Sequence, residues 1–326
     1  MEACIIVTYR CNARCRMCNT WQYPTKQDEE IGPELIGRLP GGLKFINITG
    51  GEPFLRKDIA DIVEAARRKS GRVVVSTNGY FTGRIVALAE KFPDVGVRIS
   101  IEGLPAANDR LRGLKDGFDH GMRSLLELKS LGMKDIGFGI TVSDANAKDM
   151  RELYRLASSM GVEFATAAAH NSYYFHKHDN AFSGPAMVAG EFEKLASDML
   201  CTMRPKNWFR AYFNHGLAGY VMGAGRPLPC EAGTDLFFLD PFGRIAPCNG
   251  SDTELVMGDL NVRNFEEIWH GSQAQEVRAA VRRCAKNCWM IGSAAPAMKK
   301  DIFKPVRWII EEKARRYGKP VREKAA

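Results

Sequence analysis

The chain has 326 residues, 45% apolar and 26% charged, enough for a sizeable core in one large unit plus a smaller one. No uninterrupted apolar stretch approaches the ~18 residues of a membrane span, and the N-terminus opens Met-Glu-Ala-Cys with no basic or signal-like segment, so a cytoplasmic protein is expected. The formal charge of +8 is uneven: residues 299–326 hold ten Lys or Arg against four Asp or Glu, leaving +2 for the rest.

Apolar β-rich runs alternate with helical patterns up to about residue 170, the sign of repeated βα units around a parallel sheet. Strands are predicted near 4–8, 43–48, 72–77, 95–101, 135–142 and 162–168. The clearest helices between them are 57–69, 82–91, 118–131 and 147–160. In β/α barrels chemistry collects at the C-terminal ends of the strands, and the unusual residues of this chain collect there.

After the first strand Cys11, Cys15 and Cys18 form C-x3-C-x2-C. A 4Fe-4S cluster wants a ligand on each of four irons, so three thiolates on one loop leave one iron for something that is not protein. Zinc is the plainer reading of clustered cysteines, but it wants a fourth ligand. After the second strand comes Thr49-Gly50-Gly51-Glu52-Pro53, where the glycines allow close backbone approach to a ligand and Glu52 offers a carboxylate to an ammonium group. Asn78 follows the third strand, Ser100 and Glu102 the fourth, and Ser143-Asp144 the fifth.

The cysteine loop together with Gly-Gly-Glu-Pro resembles the radical S-adenosylmethionine (radical SAM) superfamily. That resemblance implies a partial (β/α)6 barrel over 1–185, a SAM-binding 4Fe-4S cluster on Cys11, Cys15 and Cys18, and SAM near Gly50, Gly51 and Glu52. It places Ser100 and Glu102 near the SAM ribose and Asn78 near its methionine end. Met17 stands where many relatives carry an aromatic residue beside the adenine, and a thioether can pack on a ring in its place.

Beyond residue 190 the βα rhythm ends. Helices are expected over 191–203 and 208–221, in a linker of 186–229. Cys230, Cys248, Cys284 and Cys288 follow as C-x17-C-x35-C-x3-C, with a hairpin signal around Asp240-Pro-Phe-Gly243 and helices over 264–270 and 272–283. Spacing alone leaves zinc and iron–sulfur both open. The hairpin, Pro247-Cys248, the Asn-Phe-Glu-Glu-Ile-Trp segment and the closing C-x3-C resemble the SPASM/twitch extension of radical SAM enzymes, which implies one auxiliary 4Fe-4S cluster over 230–292. With four cysteine ligands that cluster has no open iron and suits electron transfer.

Cys4 and Cys201 stand alone and read as buried structural thiols. The basic tail, 293–326, reads as a solvated helix over 305–317 with Val306, Ile309 and Ile310 packed on the body, ahead of a surface for phosphate, acidic peptide or anionic lipid.

The resemblance implies an oxidoreductase that cleaves SAM to a 5′-deoxyadenosyl radical, using an external one-electron donor of flavodoxin or ferredoxin type. Dehydrogenation also needs a base; His170 is the first candidate, with Tyr173 and His215 behind it. The barrel begins near residue 3 without room for a leader-gripping module, which favours a small polar substrate, sugar or aminosugar, over a ribosomal peptide. A non-enzymatic zinc or iron–sulfur nucleic-acid binder would explain Arg10, Arg14 and Arg16, but not Gly-Gly-Glu-Pro or the βα rhythm.

Overall fold

A computed structural model describes residues 1–317; residues 318–326, the end of the expected basic tail, lie outside the described residues. Strands β1 (Glu2–Ile6), β2 (Phe45–Thr49), β3 (Val73–Thr77), β4 (Gly96–Ser100), β5 (Ile136–Val142) and β6 (Glu163–Ala168) are parallel neighbours in chain order. All six predicted strands are present. The sheet is an open partial barrel: β6 forms one edge.

Period-two alternation decides which side of each strand is core. In β2, Ile46 and Ile48 are fully buried and join the core with Ile59, Ile62 and Val63, whereas Phe45, Asn47 and Thr49 are only partly buried. Each such isoleucine contributes roughly 1.5–3 kcal/mol on burial. The other face carries small or polar groups: Cys4 is in register with Asn47, Ser76 Oγ donates to Asn47 Oδ1 (2.9 Å), and Ser76 is in register with Arg98. On β5 a Cβ at Gly137 would lie 2.2 Å from Glu163 O, so glycine lets β5 and β6 close up.

Helices α1 (Pro33–Ile36), α2 (Ile59–Arg67), α3 (Thr82–Lys91), α4 (Pro105–Arg112), α5 (Gly117–Ser130) and α6 (Met150–Met160) lie between the strands. In α6, Met150, Leu153, Tyr154 and Ala157 form the buried stripe expected at i, i+3, i+4 and i+7. The sequence reading missed α4. It starts with Pro105 in its first turn and ends at Gly113, which takes the left-handed conformation (φ 55°) common at helix C-termini.

Helices α7 (Pro185–Leu200) and α8 (Pro205–Val221) are more than a linker, because Val188, Phe192, Leu195, Ala211 and Leu217 belong to the main core. The hairpin forms as β7 (Leu236–Leu239) and β8 (Arg244–Ala246), followed by β9 (Gly258–Asp259). Its turn suits the sequence: Asp240 Oδ1 accepts from Phe242 N and Arg244 N, and Gly243 takes φ 91°. What the sequence did not show is that β7 pairs parallel with β1, so the hairpin continues the barrel's own sheet to nine strands.

Helix α9 (Phe265–His270) starts with a capping box in which Asn264 Oδ1 accepts from Glu267 N and Glu267 returns a bond to Asn264 N. Helices α10 (Ser272–Arg282), α11 (Ile291–Lys300) and α12 (Phe303–Tyr317) complete the described chain. On α12, Ile309 is buried as expected, but Ile310 is 62% exposed and does not pack on the body. No helix among the described residues is long and apolar enough to cross a membrane.

Candidate functional site

The cysteine loop is strapped down on four sides by backbone and buried charge. Gly51 N donates to Thr8 O (2.7 Å) and Glu52 N to Arg10 O (2.9 Å). Arg14 N and Arg16 N donate to Arg112 O and Leu111 O at the end of α4 (2.8 and 2.9 Å). On the third side Asn19 N reaches Phe175 O, and Asn180 Nδ2 donates to Met17 O (3.1 Å). On the fourth, Glu30 accepts from Arg10 and Thr25 and sits 3.3 Å from Arg56. A Cβ on Gly51 would lie 2.2 Å from Arg10 O and one on Gly50 2.4 Å from Thr8 O. These glycines therefore let the segments that follow β1 and β2 lie directly against each other, and Gly50 also lines the cavity beside them.

Cys11, Cys15 and Cys18 are partly buried on this loop. Backbone N–H groups already point at sulfur, Ala13 N to Cys11 Sγ and Thr20 N to Cys18 Sγ, both 3.4 Å. Such bonds are one lever on cluster potential. Burial pushes the Cys11 thiol up to about 12, so cluster binding must release protons. Among the described residues no three cysteine, histidine or carboxylate groups converge at metal-ligand spacing.

Glu52 is wholly buried, and its carboxylate is already engaged by Phe54 N (3.0 Å), Thr77 Oγ1 (2.7 Å) and Asn78 N (2.7 Å). The open carboxylate expected for an ammonium group is thus mostly spent on joining the ends of β2 and β3. Burial raises its pKa, with those three bonds opposing. Asn78 donates through Nδ2 to Asn12 Oδ1 (2.7 Å), tying β3 to the cysteine loop. Ser100 ends β4 and is partly exposed. Glu102 is buried; its Oε1 meets Arg112 Nη1 at 3.1 Å and its Oε2 accepts from Thr141 N (2.5 Å).

Arg112 was missed by the sequence reading, and it is the buried cation of the site. Burial works against its charge, yet Cys15, Glu102, Cys11 and Glu52 outweigh it and hold the guanidinium above its ordinary range. Its Nε, like Asn12 Nδ2, is buried without a hydrogen-bond partner. The signal in the sequence was an arginine just ahead of a helix-ending glycine, too common to single out.

A cavity of about 780 Å³ runs from Thr20 and the end of β2 to the second cysteine set. Thr20, Thr49 and Gly50 line one part, Cys4 and Asn47 the sheet face, and Cys230, Cys248, Cys284 and Cys288 another part. His170 lies between them. Its Nδ1 is 3.4 Å from Ala168 O, its Nε2 is buried and unpartnered, and burial lowers its pKa, so the ring is neutral at pH 7. With Nδ1–H on the carbonyl, Nε2 presents a lone pair.

Tyr173 packs on Tyr174 and is tied to Ser251 O through its backbone. His215 pairs with Glu193 at 2.6 Å and stacks on Trp308, away from the cavity lining. Cys201 is exposed and Cys4 lines the cavity, so neither is the buried structural thiol that was expected.

Residues 5–157 match the Radical SAM superfamily and residues 230–289 match SPASM, the iron-sulfur cluster-binding domain. The chain belongs to the radical SAM superfamily. It carries a SPASM domain behind the radical SAM domain, and the cofactors of that pair are a SAM-binding 4Fe-4S cluster, SAM and an auxiliary iron–sulfur cluster. The donor set fits them: three thiols on one loop beside a buried arginine, and four more around the shared cavity.

Among curated proteins the chain is 34% identical over 158 residues to Fe-coproporphyrin III synthase of Methanosarcina barkeri, covering 46% of this chain and 39% of that protein. It is 26% identical over 301 residues to AdoMet-dependent heme synthase of Oleidesulfovibrio alaskensis, covering 82% and 74%. It is also 26% identical to mycofactocin maturase MftC of Mycolicibacterium smegmatis, over 82% of this chain and 69% of that protein. The first two curated relatives are matched over only 39% and 40% of their own length. Among solved structures, anSMEcpe with bound AdoMet superposes with a TM-score of 0.65 at 15% identity, over 95% of this chain and 98% of that one, a likeness of fold.

Proposed function

We propose that this chain is a two-electron oxidoreductase whose substrate lies in the cavity between the two cysteine sets. The observation that carries the reading is that one continuous space touches Thr49 and Gly50 at the radical SAM end, His170, and all four cysteines of the SPASM end. When bound, the first cluster and SAM supply a hydrogen-abstracting radical, and the auxiliary cluster supplies an electron acceptor.

The chain's own residues take the remaining roles. Cys11, Cys15 and Cys18 hold one cluster and Cys230, Cys248, Cys284 and Cys288 the other. Met17, Gly50, Gly51, Glu52, Asn78, Ser100 and Glu102 shape the SAM site, and in this reading Glu52 and Glu102 act mainly by fixing the strand ends and Arg112. His170 lines the cavity with a buried, unpartnered Nε2 and a pKa lowered by burial, and it accepts the substrate proton in this reading. We divide the chain into a radical SAM barrel of 1–185, a helical pair in 186–229, the auxiliary cluster domain of 230–292 and the C-terminal helices from 293.

The substrate class follows from the walls. Ile6, Phe45, Phe175, Leu236 and Phe238 line the cavity, with Arg226 and Lys286 as its cations. Polar groups such as Asn47, Thr49, Asn249, Ser251 and Thr253 share the lining, but Lys286 is paired with Asp252 and Arg226 is engaged by backbone carbonyls, so an apolar-bodied substrate fits these walls better than a sugar or aminosugar. Similarity to the AdoMet-dependent heme synthase over most of the chain supports a tetrapyrrole. Similarity to mycofactocin maturase supports a peptide as the second reading.

The test uses anaerobically reconstituted protein with SAM, reductant and each substrate class in turn. About eight irons and 5′-deoxyadenosine release are expected, with substrate oxidised in step with the nucleoside. Cys230→Ala with Cys248→Ala should remove about four irons and leave SAM cleavage measurable. A protein that binds only zinc and cleaves no SAM would sink the reading.

A further inference from the structure

We propose that Arg226 is a positioning residue for the auxiliary cluster and the fixed cation that raises its reduction potential, so that the four-cysteine site takes an electron readily. The inference rests on the reading of Cys230, Cys248, Cys284 and Cys288 as ligands of a 4Fe-4S cluster.

Arg226 lies between α8 and Cys230. Its Nε donates to Leu228 O (3.2 Å) and its Nη2 to Pro229 O (3.4 Å), the two carbonyls just before Cys230. Its Nη1 donates to the carbonyl of Cys288 itself and to Ser293 Oγ. One planar fork therefore joins the first ligand segment to the last. The guanidinium also lies 5.3 Å over the ring of Trp289, which is fully buried and anchored by Nε1 on Phe213 O (3.0 Å). Arginine's rigid donor geometry suits such a clamp better than lysine's single flexible head.

Charge makes the second half of the argument. Every hydrogen-bond partner of Arg226 among the described residues is a neutral oxygen. The other cation on the cavity, Lys286, is paired with Asp252 at 2.6 Å. Arg226 is thus a partly buried cation with no carboxylate beside it, bonded at Cys288 and lining the same cavity as the four thiols that become thiolates on binding a cluster. A thiolate-bound cluster is anionic and gains a further negative charge on reduction. A nearby cation stabilises the reduced form more than the oxidised one and raises the potential.

That is the direction an electron acceptor requires. When bound, the cluster would supply an acceptor for the one electron left on a substrate that has lost a hydrogen atom, with the accompanying proton going to His170, and an external one-electron carrier of flavodoxin or ferredoxin type would take that electron onward.

The test is an EPR-monitored redox titration, with an iron count, of the reconstituted full-length protein and of Arg226→Gln, Arg226→Lys and Lys286→Gln. With about eight irons retained, Arg226→Gln should make reduction of one cluster at least tenfold less favourable, a fall of about 59 mV for one electron, while the other cluster stays put. Arg226→Lys, which keeps the charge, and Lys286→Gln, whose lysine is already neutralised, should move it less. Full iron with unmoved potentials in Arg226→Gln overturns the proposal alone. If Arg226→Gln sheds iron, Arg226→Lys decides: retained iron and potential support the charge role, and loss there too shows a backbone clamp only and overturns it. A wild-type protein holding only about four irons overturns the auxiliary-cluster reading itself, and the proposal with it.

Discussion

Replacing Arg112 with Met should cost far more than a surface charge, because it strands Glu102. The two side chains meet at 3.1 Å and are 8% and 5% exposed. At an effective dielectric of about 20 their attraction is about 5 kcal/mol, and breaking one side of a buried pair typically costs about 3–5 kcal/mol. Glu102 keeps the Thr141 N–H bond but loses its only cation among the described residues. Its carboxyl, already pushed up by burial, then loses the guanidinium that opposes that rise. Urea unfolding of the apoprotein followed by tryptophan fluorescence measures the loss. Adding Glu102→Gln removes the stranded charge, so the double variant should recover at least about 2 kcal/mol relative to the sum of the singles. Costs that simply add, within about 0.5 kcal/mol, would refute the pairing. Iron retention gives an independent readout: Arg112 also faces Cys15 and Cys11, so Arg112→Met should hold the N-terminal cluster less well than Glu102→Gln does.

His170→Gln should slow substrate oxidation by at least about 10²-fold while uncoupled 5′-deoxyadenosine release persists; equal loss of both, by chromatography of nucleoside and product, removes His170 from the proton step. Asp135 supplies a pH prediction. Burial opposes its ionisation, but Arg72 and Arg98 pull its pKa from 3.8 down to about 2. The unfolded chain therefore binds the extra proton first. The stabilisation is present above about pH 4 and lost as pH falls toward 2, amounting to at most about 2 kcal/mol for a side chain still partly exposed. Asp135→Asn should flatten that acid limb of the unfolding midpoint, and identical acid slopes in the two proteins would count against the linkage.

The barrel was legible because its information is local. Each parallel strand is a short β-rich run, and each helix such as α6 carries its own apolar stripe. The hairpin turn and the cap at Asn264 were legible for the same reason. What escaped is non-local. Nothing in Leu236–Leu239 says that it pairs with Glu2–Ile5, and that pairing is what brings the later cysteines to the cavity shared with Gly50. The cysteines themselves were legible as spacing. The cations near them were not: Arg112 and Arg226 sit at a helix end and in a loop, and only the fold shows that one meets Glu102 and the other the Cys288 carbonyl.

Glu52 shows how a motif residue can be found for one reason and kept for another. Its carboxylate looked available from sequence, yet three internal donors occupy it. Availability passes instead to atoms that carried no motif. Asn12 Nδ2, Arg112 Nε and His170 Nε2 are three of the six buried side-chain polar atoms without a partner among the described residues. Each such atom costs about 1–3 kcal/mol when left unmade. A fold that satisfies Glu52 threefold leaves these three open on the cysteine loop, beside it at the end of α4 and on a residue of the cavity wall, while Tyr212, Asp235 and Arg316 carry the other three.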